Sequence, residues 1–507
     1  MMTLSAAAQV LHGNLTGGDA RFTGVSSDTR KLARGDLFVA IAGPTFDGHN
    51  FLPEAVRAGA AGAIVSLAAD CGLPAIHVAD TRLGLGSLAA YWRSTFSVPL
   101  IAVTGSNGKT TVKGMLASIM SQTGTGLATE GNLNNDIGVP LTLLRLRSHD
   151  LFAVIEMGMN HAGEIDYLTH IARPTIALIT NAGPAHLAGL GSVEAVARAK
   201  GEIFSGLDEN GVAVINSDDQ YAALWRALSG QRRQLSFGLQ SKADVSADYD
   251  LDASGSTVRL KTPDGETELH LSLLGRHNVM NALAAAAAST AAGAGTGHIK
   301  AGLEMLRAPP GRLEVRTGYR GARVLDDTYN ANPGSLAAGL DVLAHAAGER
   351  VVVVGDMAEL GEAAVAMHAR TGELARQAGI HRLYAIGPLT RETVRSFGSG
   401  ARHFDQHDAL VENLRGEMHH DMVILVKGSR VMHMERVVSG LMDADDGGGR
   451  MVADSGKHEE RGGWCFFTFS RNLRTTFPSS MSFAISRCAE FSVCSLRSES
   501  ALSWARS

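Results

Sequence analysis

The chain has 507 residues, enough for about three domains at roughly 100–200 residues each and for several buried cores. Hydrophobic residues make up 45% and charged residues 19%, the proportions of an ordinary water-soluble globular protein. A net charge of −5 excludes a global attraction to nucleic acid or to an anionic membrane, and leaves room only for local basic pockets that could hold phosphates.

Residues 1–97 read as a small α/β module. Strand-like runs at Asp36–Ile41 and Ala63–Ser66 flank a turn-rich stretch, Ala42–Asn50, and a helix near Pro53–Ala60. Residues 98–312 read as a larger α/β domain. Apolar strands recur at Leu100–Val103, Phe152–Ile155, Thr175–Ile179 and Val212–Ile215, with helical patterns between them at Thr110–Thr123 and Val193–Leu207. That alternation predicts a mostly parallel sheet covered on both faces. The alanine-rich run Ala282–Ala292 is too short and too weakly apolar to span a bilayer, which takes about 20 residues, and is expected to be a buried helix. Residues 313–443 repeat the grammar. Val351–Val354, Leu383–Ile386 and Val423–Val426 stop at Gly355, Gly387 and Lys427–Gly428, as in a Rossmann-like module. Residues 444–507 differ: a glycine-rich linker leads into a Ser-, Arg- and Phe-rich stretch with no steady period, expected to be poorly ordered. Of the four cysteines only Cys71 precedes this stretch; Cys465, Cys488 and Cys494 lie in it. The main body therefore has no disulfide framework, and Met1–Gly18 lacks the pattern of a secretory signal, which together suggest the cytoplasm.

The sharpest motif is Thr104-Gly105-Ser106-Asn107-Gly108-Lys109-Thr110-Thr111, between an apolar strand and a helical pattern. Glycines let backbone N–H groups approach phosphate oxygens, and the helix N-terminus adds a favourable dipole. Lys109 can reach the β and γ phosphates, and the Thr110 hydroxyl can ligate Mg²⁺. Only two residues separate Gly105 from Gly108, fewer than in the general phosphate loop. Further along, Asn132, Asn134 and Asn135 crowd one loop, a polar turn or a set of donors and acceptors for sugar, peptide or phosphate oxygens. Glu156 ends a strand, where doubly wound folds bind ligands and where Mg²⁺ finds a hard oxygen, although a glutamate there can also simply cap a loop. His186 follows another strand; a lone histidine is ordinarily structural or exposed. Lys200 sits in a helical pattern, where a lysine is ordinarily solvated. Arg312 follows Pro309-Pro310, a plausible hinge, and could stabilise phosphoryl charge or form a surface ion pair.

The short loop TGSNGKTT resembles the Mur ligases and the related folylpolyglutamate synthetases. The runs at Glu156–Ile165 and Gly275–Ala282 resemble the same family, and those at Thr129–Leu141 and Asp326–Pro333 resemble its branch that adds D-alanyl-D-alanine. The resemblance covers residues 1–443 in order and implies an α/β, three-domain architecture: a UDP-precursor-binding domain (1–97), a central ATP-binding P-loop domain with a parallel sheet (98–312), a Rossmann-like C-terminal domain (313–443), and a tail (444–507) outside the pattern. It implies ATP and Mg²⁺ as cofactors, with UDP-N-acetylmuramoyl tripeptide and D-Ala-D-Ala as substrates, in a monomer that binds no nucleic acid and inserts in no membrane. By the same resemblance Gly105 to Thr111 hold ATP, while Thr110, Glu156, His186 and Lys200 hold magnesium, Lys200 as its carbamate. Asn278 contacts adenine. Lys109, Lys200, Arg312 and Asp327 are the catalytic set, and Asp327, Tyr329 and Asn330 face the nucleotide and the incoming peptide. Asn132, Asn134 and Asn135 meet the substrate, and Ser27, Asp28, Arg30, Asp47 and His49 bind the UDP end; for Asp47–His49 a turn-building role is an equal alternative. A sibling ligase of the family, a folylpolyglutamate synthetase and a non-catalytic P-loop switch are the other readings. The NNDIG and YNANP runs argue against the first two, and the three-module layout against the third.

Overall fold

The structure, a computed structural model, describes residues 1–43, 46–66 and 72–443. The expectations for Cys71 and for the tail 444–507 fall outside the described residues.

The first sheet runs in the order Asn14–Thr16, Ala75–His77, Gly62–Val65, Leu37–Val39, Val25–Ser26. Only its Asn14–Thr16 edge is antiparallel. Gly62–Val65 is buried at every position, as a parallel strand covered on both faces must be. The expected helix is Leu52–Ala58, opened by Pro53 and closed by Gly59 in the left-handed region (φ 79°).

The central sheet has six strands, all parallel, in the order Arg233–Phe237, Val212–Asn216, Ile176–Ile179, Leu100–Thr104, Ala153–Glu156, Leu127–Ala128. Leu100–Thr104, buried at every position, lies inside it. Pairing of Val103 with Glu156 and of Thr104 with Ile179 brings three strand ends to one edge, where the loops of the site gather. The helical pattern read over Val193–Leu207 is an α-helix only to Gly201. It tightens to a 3₁₀ turn at Glu202–Phe204, where the Glu202 carboxylate accepts from the N–H groups of Gly163 and Asp166.

Two features depart from the sequence reading. Ser246–Asp252, Gly255–Thr262 and Gly265–Leu271 form an antiparallel meander, although this stretch was expected to follow the parallel alternation. Its polar and apolar residues alternate, so one face packs on the alanine-rich helix Arg276–Ala291, whose small side chains let strands approach closely on several sides. In addition, the junction at 97–98 separates two sheets but not two cores. The helix Thr81–Ser94 packs on Gly138–Leu143 and Glu164–Ala172, and one apolar cluster runs from Leu4 to Trp225. The buried Arg93 guanidinium seals the junction by donating to the carbonyls of Phe96, Val98, Ala172 and Arg173.

The third sheet runs Glu314–Thr317, Arg323–Asp327, Met422–Lys427, Glu349–Gly355, Arg382–Ile386, Ala401–Phe404, parallel apart from its first strand. Separate apolar clusters cover its two faces. Register places Asp327 beside Lys427 at neighbouring strand ends, facing the loops of the central sheet.

Candidate functional site

The phosphate loop joins the strand Leu100–Thr104 to the helix Lys109–Met120. Its glycines are fixed by geometry. Gly108 has φ 83°, and a Cβ there would lie 2.3 Å from Asn281 Oδ1; a Cβ on Gly105 would lie 1.8 Å from Thr180 Oγ1. The segment after the neighbouring strand braces the loop. Thr180 Oγ1 donates to the Asn107 carbonyl at 2.6 Å, Asn107 N–H donates to Asn181 Oδ1 at 2.9 Å, and Gly183 N–H donates to Ser106 Oγ at 2.9 Å. Lys109 Nζ donates to the Gly105 carbonyl at 2.6 Å, closing the loop on itself. Burial holds the Lys109 ammonium below the usual lysine range, and nearby Arg312 pushes the same way, against Glu156 and Glu359.

A cavity of about 750 Å³ opens on this loop, lined from both the central and the C-terminal domains. Of the sequence-derived candidates it brings together Ser106 to Thr111, Asn134, Asn135, Glu156, His186 and Asn278. It adds Arg312 from the hinge that ends the central domain, and Asp327, Tyr329 and Asn330 from the C-terminal domain. Two hydrogen bonds from these segments reach the phosphate loop. Arg312 Nη2 donates to Thr110 Oγ1 at 3.0 Å, and Asn332 Nδ2 donates to Asn107 Oδ1 at 2.8 Å. The Arg312 guanidinium lies 4.1 Å from the Tyr329 ring centre, a cation–π contact that fixes its plane. Asp327 accepts from Lys427 Nζ at 2.6 Å, and Lys427 also donates to the Asn330 carbonyl at 3.0 Å. Burial pushes the Asp327 carboxyl up, with Lys427 and Arg312 opposing.

The oxygens of Thr110 and Glu156 suit a hard divalent cation. Thr110 Oγ1 is 3.2 Å from Glu156 Oε1, while Glu156 Oε2 is buried and accepts no hydrogen bond. Among the described residues no three His, Cys, Asp or Glu side chains cluster as a metal site, so carboxylates and imidazoles alone do not furnish a second one. His186 stands with its Nδ1 2.8 Å from Glu359 Oε2. That contact holds the Glu359 carboxyl down against its burial, and Lys109 adds to the effect. Lys200 does not line the cavity. It lies behind the wall, 1% exposed, with no ion pair among the described residues, and burial drives its amine well below the usual lysine range, with Lys109 adding to the push.

Three family descriptions match the chain: Mur ligase family, catalytic domain, over residues 21–93; Mur ligase middle domain over 103–289; and Mur ligase, glutamate ligase domain, over 311–430. The UDP-N-acetylmuramoyl-tripeptide–D-alanyl-D-alanine ligase of Escherichia coli (strain K12) is 46% identical over 446 residues, 87% of this chain and 98% of that one. This chain belongs to the Mur ligase family. Among solved Mur ligases, MurF from Acinetobacter baumannii superposes with a TM-score of 0.83 at 36% identity, over 87% of this chain and 98% of that one. MurF from Thermotoga maritima, solved in complex with ADP, gives 0.74 at 28% identity, over 82% and 96%.

Other candidates in this Mur ligase lie elsewhere or are engaged in holding structure. Ser27, Asp28, Arg30, Asp47, His49 and Asn132 do not line the cavity. Asp28 pairs with Arg30 at 2.9 Å, two residues along the same turn. Both ring nitrogens of His49 are engaged: Nδ1 is 2.6 Å from Asp47 Oδ1, and Nε2 accepts from Ser66 N–H at 3.0 Å. Asp47 also caps the 3₁₀ turn Gly48–Phe51, so this pair builds the turn. Asn135 Oδ1 accepts from Gly138 N–H at 2.9 Å, and Asn278 Nδ2 donates to the Leu274 carbonyl at 2.8 Å; both amides spend part of their capacity on helix starts. The sequence reading gave no individual role to three residues, of which His277 and Glu359 lie in runs that resemble the family. Lys113 is buried beside Glu156, Glu359 reaches His186 from the C-terminal domain, and His277 lines the cavity with its imidazole held down at about 4 by burial and by Lys427. Lys113 offered a signal: it falls one turn after Lys109, on the same helix face. For the contact of Glu359 there was none, because it joins domains. Among the described residues no helix is long and apolar enough to cross a membrane.

Proposed function

We propose that this chain is an ATP-dependent amide-bond-forming ligase that joins D-alanyl-D-alanine to UDP-N-acetylmuramoyl tripeptide, making the pentapeptide precursor of peptidoglycan. The observation that carries the reading is the 46% identity to a ligase of that name, along 98% of its length.

The tripeptide's terminal carboxylate takes the γ-phosphoryl group of ATP, because a carboxylate oxygen is a poor leaving group and an acyl phosphate is a good one. The D-Ala-D-Ala amine then attacks the acyl carbon, a tetrahedral intermediate forms, and phosphate departs. Phosphoryl transfer mainly requires positioning and charge balance. Lys109 and Arg312 supply positive charge from opposite sides of the cavity, and the N-terminus of the helix Lys109–Met120 aims its dipole at the phosphates. Thr110 and Glu156 would hold Mg²⁺, which would offset phosphate charge there. Burial lowers the Lys200 amine well below the usual lysine range, which suits it to take up CO₂; the carbamate would supply an oxygen donor and His186 an imidazole. Asn332 and Arg312 tie the C-terminal domain to the phosphate loop, and this closure keeps water from the acyl phosphate. Asn134, Asn135 and Asn330 face the substrates; the Ser27–Arg30 turn and the Asp47–His49 turn frame the UDP end. The enzyme acts as a monomer in the cytoplasm, where ATP and nucleotide-linked precursors are available; the single cysteine before residue 444 fits that compartment.

The test is phosphate release from ATP and Mg²⁺ with the UDP-linked tripeptide, with and without D-Ala-D-Ala, and identification of the product by mass. Release that requires every component and yields the pentapeptide is expected. Folded, ATP-binding protein that releases none would reject the assignment.

A further inference from the structure

Glu156 is 2% exposed, and groups from three segments converge on it. Its Oε1 accepts from the Thr110 hydroxyl at 3.2 Å and from Asn134 Nδ2 at 2.9 Å, while its backbone N–H donates to Thr129 Oγ1 at 3.0 Å. Its Oε2 has one neighbour of opposite charge, the Lys113 ammonium at 3.4 Å. The same ammonium donates to the Gly131 carbonyl at 3.2 Å. Lys113 is itself buried, with 10% of its side chain exposed, and it does not line the cavity, so it cannot meet phosphate directly. A lysine on a helix is ordinarily solvated; this one spans from a buried carboxylate to the loop that carries the three asparagines. That loop is therefore fastened to Glu156 twice, at Asn134 directly and at Gly131 through Lys113.

A divalent cation at Thr110 and Glu156 competes with the ammonium for Oε2 and repels it. The acceptor left to Lys113 is the Gly131 carbonyl. Charge at the nucleotide end thus tightens the grip on the asparagine loop. We propose that Lys113 is a positioning residue that couples divalent-cation–nucleotide binding at Thr110 and Glu156 to precursor binding at the asparagine loop. The inference rests on the ligase reading above for the identity of the two ligands.

The experiment follows Mn²⁺ binding by electron paramagnetic resonance, in the full-length protein with a non-hydrolysable ATP analogue, with and without UDP-N-acetylmuramoyl tripeptide. In the unaltered protein the precursor raises Mn²⁺ affinity roughly five- to tenfold, the lower part of the usual range for coupled sites. In Lys113→Met the factor falls to about one, and Lys113→Arg restores part of it. An unchanged factor in folded Lys113→Met, or no factor in the unaltered protein, overturns the proposal. Should Lys113→Met not fold, Lys113→Gln, which removes the charge and keeps a polar side chain, must lower the factor; an unchanged factor there overturns it equally. Pentapeptide formation without coupling refutes this inference alone, whereas absence of product refutes the ligase reading.

Discussion

Lys200 in the central domain and Lys427 in the C-terminal domain are buried to the same degree, 1% and 2% exposed, and their surroundings are opposite. Lys427 has Asp327 at 2.6 Å and a carbonyl at 3.0 Å. Lys200 has no ion pair among the described residues, and the charge that acts on it is the positive one of Lys109. One lysine is held by an opposite charge; the other meets none among the described residues. Burial alone does not distinguish them. The counter-charge does, because desolvation disfavours an ammonium that nothing offsets. The same contrast recurs in the cavity: Asp327 and Lys427 balance each other, while Lys109 and Arg312 keep positive charge for an incoming anion.

Four measurements break or sharpen that contrast. The largest effect is expected at Lys109, whose charge is the one aimed at phosphate. Lys109→Ala should lower turnover roughly a thousandfold, as loss of one transition-state charge partner does, while thermal unfolding stays unchanged. Near-normal turnover in a folded variant would remove Lys109 from the mechanism. Next, Lys427→Met leaves Asp327 buried without its cation and should destabilise the protein by about 3–5 kcal/mol in chemical denaturation. Adding Asp327→Asn should recover most of that loss; no recovery would mean the pair is not what held the two strand ends. Lys200→Met should do the reverse. Stability should hold within about 1 kcal/mol or improve, since an unpaired buried ammonium is no asset, while pentapeptide formation falls. A carbamate signal with ¹³C-labelled bicarbonate should be present in the unaltered protein and absent from the variant. Its absence from both would rule out the carbamate.

The smallest effect concerns pH. His277 is held down at about 4, by burial first and by Lys427 second, from an ordinary 6.5. Between those values the unfolded chain binds the proton and the folded one does not, so stability is lost as pH falls from 6.5 through 4. His277→Gln should flatten that part of the acid limb of a stability–pH curve. An identical acid limb in both proteins would show that His277 is protonated in the fold.

The alternation of strand and helix, the phosphate loop and the strand-end position of Glu156 were legible in the chain, because strand period and glycine placement are local properties. The meander at Ser246–Leu271 was not, since its strands are polar on one face and resemble loop until a helix covers the other. Nor was the shared core across residues 97–98, which depends on which helix faces pack together. The first-domain candidates show the limit from the other side: Asp47 and His49 have the composition of a ligand site, and their hydrogen bonds join them to each other and to Ser66.

By itself the sequence determined the family, the order of the three modules and the residue types able to bind phosphate and a hard cation, because motif spacing along the chain fixes these. Only the tertiary structure decided how those groups are charged and paired. Whether a buried lysine meets no counter-charge, as Lys200, is ion-paired, as Lys427, or bridges segments, as Lys113, depends on which distant residue lies within 3 or 4 Å of it. Electrostatic energy follows that distance and the surrounding burial, and neither is a property of the residue's place in the chain.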